Sequence, residues 1–474
     1  MTLPAHERSS EPGRYPVPKP LLLAVFALSV LIAAVTVDMV TPVLPLIGEQ
    51  FAATEAQLSW VVSGVALVLA IGIPLYGRLS ERIGFRRLYC SAIAILSAGS
   101  LLCAVAPNLP LLVLGRMVQG AGMAAVPVLS IVAVSTVWPP GKRGGALGVI
   151  SGCIGVGTAG GPIFGGAIGQ SAGWPSLFWI TFALSLLILI GSIFVLASIG
   201  SISPDARRRK LDVAGGAMLG LASGLLLFAV TQGGMTGFAT LSSWGSCIGS
   251  LLAGGAFVWR MVSIEDPFVP PALFRNRSYV CSIIVAVFAM FAYFAVLVFV
   301  PLMVVEVNGL TSAQAGWILL PGGASVAILS PVVGRISDRA GSKRLILAGV
   351  TVMGLSTLFL STVASGGSPI LVAAGVMFAG IAFSLTASPA NNTAASALPH
   401  NRIGIGMGLF QGALYLGAGV GAGVIGALLS ARQGASEPWN PLYILEAVNY
   451  SDAFLAATVS VLIAWIAAWG LRND

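Results

Sequence analysis

The sequence predicts an all-α polytopic membrane protein: two bundles of six helices, with two further helices inserted between them. Three observations carry that expectation. Of 474 residues, 57% are hydrophobic and only 8% are charged, and the mean hydropathy is +0.96, a balance that no water-soluble domain of this length keeps. The chain divides into fourteen apolar runs, most of them about 20 residues long, enough to cross a hydrocarbon core about 30 Å thick. One loop is written twice, as GRLSERIGFRR at Gly77–Arg87 and GRISDRAGSKR at Gly334–Arg344. Both copies put Gly first, an acid fifth, Arg sixth, Gly eighth and two basic residues last, and both lie between long apolar runs. The chain therefore reads as an internal duplication.

Residues 1–20 form a polar, proline-rich tail, read as cytoplasmic. The first run, Leu21 to about Ile47, is too long for a signal-peptide core and has no small-residue cleavage site after a short core, so it is expected to be retained as a spanning helix. Five more runs follow at approximately 57–76, 88–107, 110–137, 144–169 and 175–199, giving a first bundle over 21–200. The segment 201–275 opens on Arg207, Arg208, Arg209 and Lys210 and holds the two inserted runs, at about 212–231 and 243–262. The second bundle, 276–474, repeats six runs at about 279–305, 313–333, 345–364, 369–397, 403–430 and 452–471. The two loop copies begin 257 residues apart, whereas six helices with short loops need about 200. Two inserted helices account for the excess.

Lysine and arginine accumulate on the cytoplasmic side of membrane proteins. With the N-terminus inside, every one of the 24 Lys and Arg except Arg116 and Arg432 falls on that side, which fixes fourteen spans and places both termini in the cytoplasm. The outer loops carry acids instead, Glu49, Glu55, Glu306, Glu437 and Glu446. The longest, about 431–451, reads as a surface loop with Trp439 and Tyr443 at the membrane interface. Cys90, Cys103, Cys153, Cys247 and Cys281 show no CxxC or CxxxC spacing, and His6 and His400 are the only histidines, so neither a disulfide framework, a metal site nor a cofactor is expected.

Ionisable residues inside a span are costly and point to function. Asp38 in the first run and Arg116 in the fourth reach similar depths, about 10 Å below the outer surface for Asp38. Burial favours the neutral acid and a nearby guanidinium favours the carboxylate, so Asp38 is placed to exchange a proton or cation between two conformations; a static ion pair is the alternative. Gln119 shares a face with Arg116. With Tyr293, Asn391, Asn392 and Gln411 it makes up a candidate substrate cavity, in which aromatics including Trp60, Phe410 and Tyr415 would stack on a planar ligand. Glycines crowd the run at 144–169, with Pro162 among them, and again the run at 403–430. Small residues let helix backbones approach closely, and a central proline weakens a helix, so a seam that rocks is expected, a static packing seam being the alternative.

These residues carry a resemblance. Gly77–Arg87 resembles the loop 2–3 motif of the major facilitator superfamily, and LGRMVQGAG at Leu114–Gly122 its helix 4 motif, with Arg116 as the motif arginine. GTAGGPIFGG at Gly157–Gly166 resembles the antiporter motif, VDMVTPVLP at Val37–Pro45 the first-helix motif of the fourteen-helix drug:proton antiporters, and DPFVPPALFRNR at Asp266–Arg277 a further segment of that subfamily. NNTAASAL at Asn391–Leu398 adds a looser likeness to the Gram-positive tetracycline efflux proteins of the K and L classes. The chain departs from those in having Leu416–Gly419 where they carry an acid, and from the superfamily in having Glu81 where Asp is usual.

The resemblance implies the major facilitator fold and a rocker-switch exporter of drugs or other amphipathic small molecules, driven by protons and working as a monomer in a bacterial plasma membrane. Asp38 and Arg116 would couple protons. Gly77, Glu81, Arg82, Gly84 and Arg86, with Gly334, Asp338 and Arg339, would gate the cytoplasmic ends, and Gly157, Gly161, Pro162, Gly165 and Gly166 would form the antiporter seam. The expected partners are a small-molecule substrate, protons and lipid, not nucleic acid. An ATP-driven pump is disfavoured by the absence of GxxxxGK[ST], and a membrane-embedded enzyme by the lack of clustered intramembrane acids or histidines. A channel needs no titratable residue coupled to two bundles. Export of an endogenous metabolite, peptide or lipid is the nearer alternative.

Overall fold

In lipid every backbone N–H and C=O must find a partner within the protein, which restricts these apolar runs to helices. The structure, a computed structural model, describes residues 18–53, 55–80, 82–139, 141–198, 212–236, 240–399 and 402–472. Glu81, His6, His400, Arg207–Lys210 and most of the N-terminal tail lie outside the described residues. Among those described, fourteen helices are long and apolar enough to span a membrane.

In chain order they are α1 (Lys19–Asp38), α2 (Glu55–Leu79), α3 (Phe85–Ala104), α4 (Leu109–Val137), α5 (Gly144–Ala172), α6 (Trp174–Val195), α7 (Val213–Thr236), α8 (Leu241–Ser263), α9 (Arg277–Glu306), α10 (Ser312–Ala340), α11 (Ser342–Phe359), α12 (Pro369–Ser396), α13 (Ile403–Ala431) and α14 (Val448–Trp469). The span of α1 continues through a 3₁₀ turn, Thr41–Val43, into a short helix, Leu44–Phe51. Helices α1–α6 pack among themselves, as do α9–α14, and α7 pairs with α8. Two seams join the halves, α5 against α10 and α2 against α13, and α7 lies along the second, touching both α2 and α13. Helix α4 is the most enclosed span and α8 the least.

Arg432, the one basic residue expected in an outer loop, has a structural reason to be there. Asp452, near the start of α14, is fully buried, and Arg432 Nε donates to its carboxylate at 2.7 Å while the Trp439 backbone N–H donates at 2.8 Å. The guanidinium lies 4.9 Å from the centre of the Trp439 ring. Tyr443, expected at the membrane interface, is instead buried, its hydroxyl donating to Ser365 O at 3.0 Å. The loop is thus bound down over the end of the second half away from the duplicated loop rather than lying loose on its surface.

At the other end Asp212 caps α7. Burial pushes its carboxyl up, but the Gly215 N–H, the Arg260 guanidinium and the Phe268 N–H together hold it below its ordinary value of 3.8. A carboxyl held low contributes stability above its unfolded value and loses it as pH falls through the folded one, so this tie is intact at neutral pH and released only in strong acid.

Removing one member of a buried ion pair strands the other charge, at a cost of about 3 kcal/mol. Arg432→Ala is therefore expected to lower the thermal unfolding midpoint of the detergent-purified protein, and Asp452→Asn combined with it to recover part of the loss. An unchanged midpoint in the single variant contradicts this account.

Candidate functional site: a buried arginine, an acid at a helix break and a closed end

Proline lacks an N–H, and Pro42 follows Asp38 by four residues, so the carbonyl of Asp38 cannot find its helical donor. The α-helical part of α1 ends at Asp38 for this reason, and the last carbonyls of the helix are left to seek other partners. Arg116, fully buried on α4, supplies them. Its Nη1 donates to Thr36 O at 3.1 Å and its Nη2 to Val37 O at 3.3 Å. Two more of its donors are fixed, Nε to Val61 O on α2 at 3.2 Å and Nη1 also to Gln119 Oε1 at 2.6 Å. Gln119 in turn donates from Nε2 to Ser100 Oγ on α3 at 2.8 Å. The Phe178 ring closes the site 6.0 Å from the guanidinium carbon.

Asp38 stands at the end of this helix. Thr158 of α5 and the guanidinium of Arg116 both lie within electrostatic reach of its carboxyl, with no ion pair between Asp38 and Arg116. Tyr415, from α13 in the opposite half, lies within electrostatic reach of it. The charge on Asp38 is thus contested between the negative end of α1 and the guanidinium, at a point where the two halves face each other.

The glycines expected to form a seam are at this point as well. Gly157, Gly161 and Gly165 lie along α1: a Cβ on Gly161 would stand 3.0 Å from Asp38 Cβ and 3.1 Å from Val35 O, and one on Gly157 would stand 3.1 Å from Leu31 O. Gly166 faces Pro42, and Pro162 lies within the same stretch of α5. These residues bind α5 to α1 within its own half. The seam to the other half uses a different stripe of α5, in which Gly144 meets Gly334 and Asp338, Gly148 meets Ser330 and Pro331, and Gly155 meets Val326.

Both loop copies begin at such contacts. A Cβ on Gly77 would lie 2.8 Å from Gly404 O, and one on Gly408 would lie 2.6 Å from Gly77 Cα. Gly334 makes the equivalent approach to Gly144. The Asp338 carboxylate caps α5 across the seam, Oδ1 accepting from Gly144 N at 3.0 Å and Oδ2 from Gly145 N at 3.3 Å, a favourable place for negative charge. Arg143 crosses in the opposite direction: Nε donates to Asn392 Oδ1 at 2.9 Å and Nη2 to Ser396 Oγ. Asn392 Nδ2 donates back to Asp338 Oδ1 at 3.3 Å. The basic end of the molecule is therefore shut.

This geometry corrects several expectations. Asn392 belongs to the closed end and not to a cavity, because its amide fits between Arg143 and Asp338. Gln119 is buried beneath Arg116 as its support and is not a cavity wall. Arg86 donates to Ile193 O of α6 in its own half, a Cβ on Gly84 would meet nothing within 4 Å and Arg339 is exposed, so these residues of the loop motifs do not reach across. Arg143 went unnoticed in the sequence because a basic pair, Lys142 and Arg143, in a short loop looks like a topology marker. Tyr293, Asn391 and Gln411 remain candidates: each is buried with a side-chain oxygen that has no hydrogen-bond partner among the described residues. They sit on α9, α12 and α13, which also line an apolar cleft including Met290, Phe383, Phe410 and Leu414. Tyr293 stacks on Phe383 with ring centres 4.3 Å apart.

A family model described as the Major Facilitator Superfamily matches residues 26–422. The multidrug resistance protein Stp of Mycobacterium tuberculosis is 31% identical over 399 residues, covering 83% of this chain and 72% of that one. The riboflavin transporter RibZ of Clostridioides difficile is 24% identical over 454 residues, 94% of both chains. Among solved structures, that of the human organic anion transporter MFSD10 matches with a TM-score of 0.69 at 14% identity, covering 95% of this chain and 99% of that one, which is a likeness of fold.

Losing the Asp338 cap is expected to weaken closure by about 2 kcal/mol, the value of hydrogen bonds to a charged acceptor, or roughly 30-fold in the open-to-closed ratio. In a cysteine-free background, Ser388→Cys, buried beneath this end, is expected to react faster with an impermeant maleimide when Asp338→Ala is added. An unchanged rate contradicts the assignment.

Proposed function

The chain belongs to the Major Facilitator Superfamily, and from that premise we propose that this membrane transporter is a proton-coupled exporter of drugs or other amphipathic small molecules. Asp38 carries the proton. Arg116, anchored in the same half by the broken end of α1, tunes the acid, and Asp38 gains or loses its proton as separation of the halves opens it to one side of the membrane or the other. The gate at Gly77, Gly334, Asp338, Arg143 and Asn392 closes the basic end, which the distribution of Lys and Arg assigns to the cytoplasm. In that state Asp38 exchanges its proton with the outer side. Substrate leaves outward, and the inward-open state then releases the proton and admits new cargo.

One observation carries this reading: the acid between α1 and α5 sits beside a buried arginine, at the helix break that the arginine itself satisfies. Several others support it. The likeness to Stp favours a drug as cargo. Tyr293, Asn391 and Gln411 offer an aromatic face and unpaired polar atoms suited to an amphipathic ligand. The likeness to RibZ favours a second reading, in which the exported cargo is a small metabolite. In either case the transporter works as a monomer in the plasma membrane, with both termini in the cytoplasm.

The test is reconstitution of the wild type and Asp38→Asn into liposomes under an imposed pH gradient, following lumenal pH on addition of a tetracycline and then a lipophilic cation. The expected result is ligand-driven proton flux in the wild type and only the leak rate in the variant. Flux that survives in Asp38→Asn removes Asp38 from the coupling role, and silence toward both drugs with flux on adding riboflavin favours the metabolite reading.

A further inference from the structure

The inserted helices touch both halves, but not in the same way. At the basic end Asp212, just before α7, is a three-way tie: its carboxylate accepts from Gly215 N at 2.9 Å, Arg260 Nε at the end of α8 at 2.7 Å, and Phe268 N at 3.1 Å. Phe268 belongs to the segment that runs from α8 into α9. Its buried ring packs against the start of α7, where a Cβ on Gly216 would stand 2.8 Å from it. The same segment ends at Asn276, which caps α9 through Tyr279 N at 3.2 Å and donates from Nδ2 to Ala397 O at 2.9 Å. Tyr279 then donates to Gly406 O on α13 at 2.6 Å. The tie at Asp212 thus fastens the α7–α8 hairpin to the segment of chain that runs on into the second half, where Asn276 and Tyr279 anchor it.

Toward the first half the contact is of another kind. Ile71 and Leu67 of α2 project onto Gly220 and Gly224 of α7, where a Cβ would stand 2.8 Å from either side chain. Aliphatic groups against bare backbone give close approach without directional bonds to break, which suits a surface that slides. The outer half of α7 makes the same kind of contact with α13, Leu227 and Val230 against Gly419 and Gly423, so what sets the second half apart is the polar tie at Asp212.

We propose that α7 and α8 travel with the second half, so that the two rocking bodies are one of six helices and one of eight, sliding on each other between α7 and α2. This rests on the rocking motion under the proposed function and assigns to the inserted pair a place in it. The tie at Asp212 holds the hairpin to its body, and α7 keeps the α2–α13 seam covered from the lipid while that seam opens and closes.

The test measures distances by pulsed electron spin resonance in the full chain, with its five native cysteines replaced by alanine and spin labels at the exposed basic-end positions Arg87 (first half), Ser263 (hairpin) and Arg344 (second half). Asp338→Ala opens the gate, and Arg143→Ala opens it independently should the first variant fail to fold. The Arg87–Ser263 and Arg87–Arg344 distances are expected to shift together by about one helical turn, 5 Å, while Ser263–Arg344 stays fixed. A shift in Ser263–Arg344 with Arg87–Ser263 fixed, or a shift in all three pairs, overturns the proposal while leaving the rocking intact. A constant Arg87–Arg344 distance in both variants overturns the rocking motion, and the proposal with it.

Discussion

The arrangement depends on one buried cation. A guanidinium enclosed in a spanning bundle is tolerable only if its donors are satisfied and its charge is answered nearby. Two of the donors go to Thr36 O and Val37 O, among the last carbonyls before the break in α1, so the end of that helix and Arg116 satisfy each other. Asp38 is the consequence of that pairing: it is the last α-helical residue of α1, close enough to answer the charge and free of a direct ion pair with it. Straightening α1 would remove the acceptors, and removing the arginine would leave bare carbonyls in the membrane.

The glycines of α5 serve two surfaces from one helix. One stripe brings α1 close enough to place Asp38 against Thr158, and the other brings α10 against α5 at the seam between the halves. A shift across the second seam therefore acts on the helix that holds the acid, a physical route by which the proposed gate would couple to the proposed proton site. The duplicated loop supplies contacts across the seams at the basic end. In each copy the first glycine allows a backbone contact with a helix of the opposite half, and in the second copy the acid caps that helix as well.

Much of this was legible in the sequence, for identifiable reasons. Spans were legible because lipid leaves helices as the only outlet for runs of this length, and the exceptional positions of Arg116 and Arg432 were visible against an otherwise one-sided distribution of positive charge. Asp38 and Arg116 stood out because charge inside a span is rare. Their mode of contact did not, since it runs through main-chain carbonyls that no side-chain pattern records. Arg143 and the true place of Asn392 were hidden because they meet across about 250 residues of chain, and the separate stripes of α5 were hidden because glycine has no side chain to say which neighbour it faces. Asp452 escaped notice near the end of a span, where acids are common, and only its burial distinguishes it.

The central claim is that the charge state of Asp38 governs the transport cycle. The most direct test is counterflow of radiolabelled tetracycline in liposomes carrying Asp38→Asn, with no pH gradient, measured across a range of equal internal and external pH. Substrate exchange needs binding and rocking but no net proton movement, so the account predicts that exchange persists in the variant and no longer varies with pH, in contrast to the wild type. Exchange that keeps the wild-type pH dependence would place the titrating group elsewhere and contradict the account.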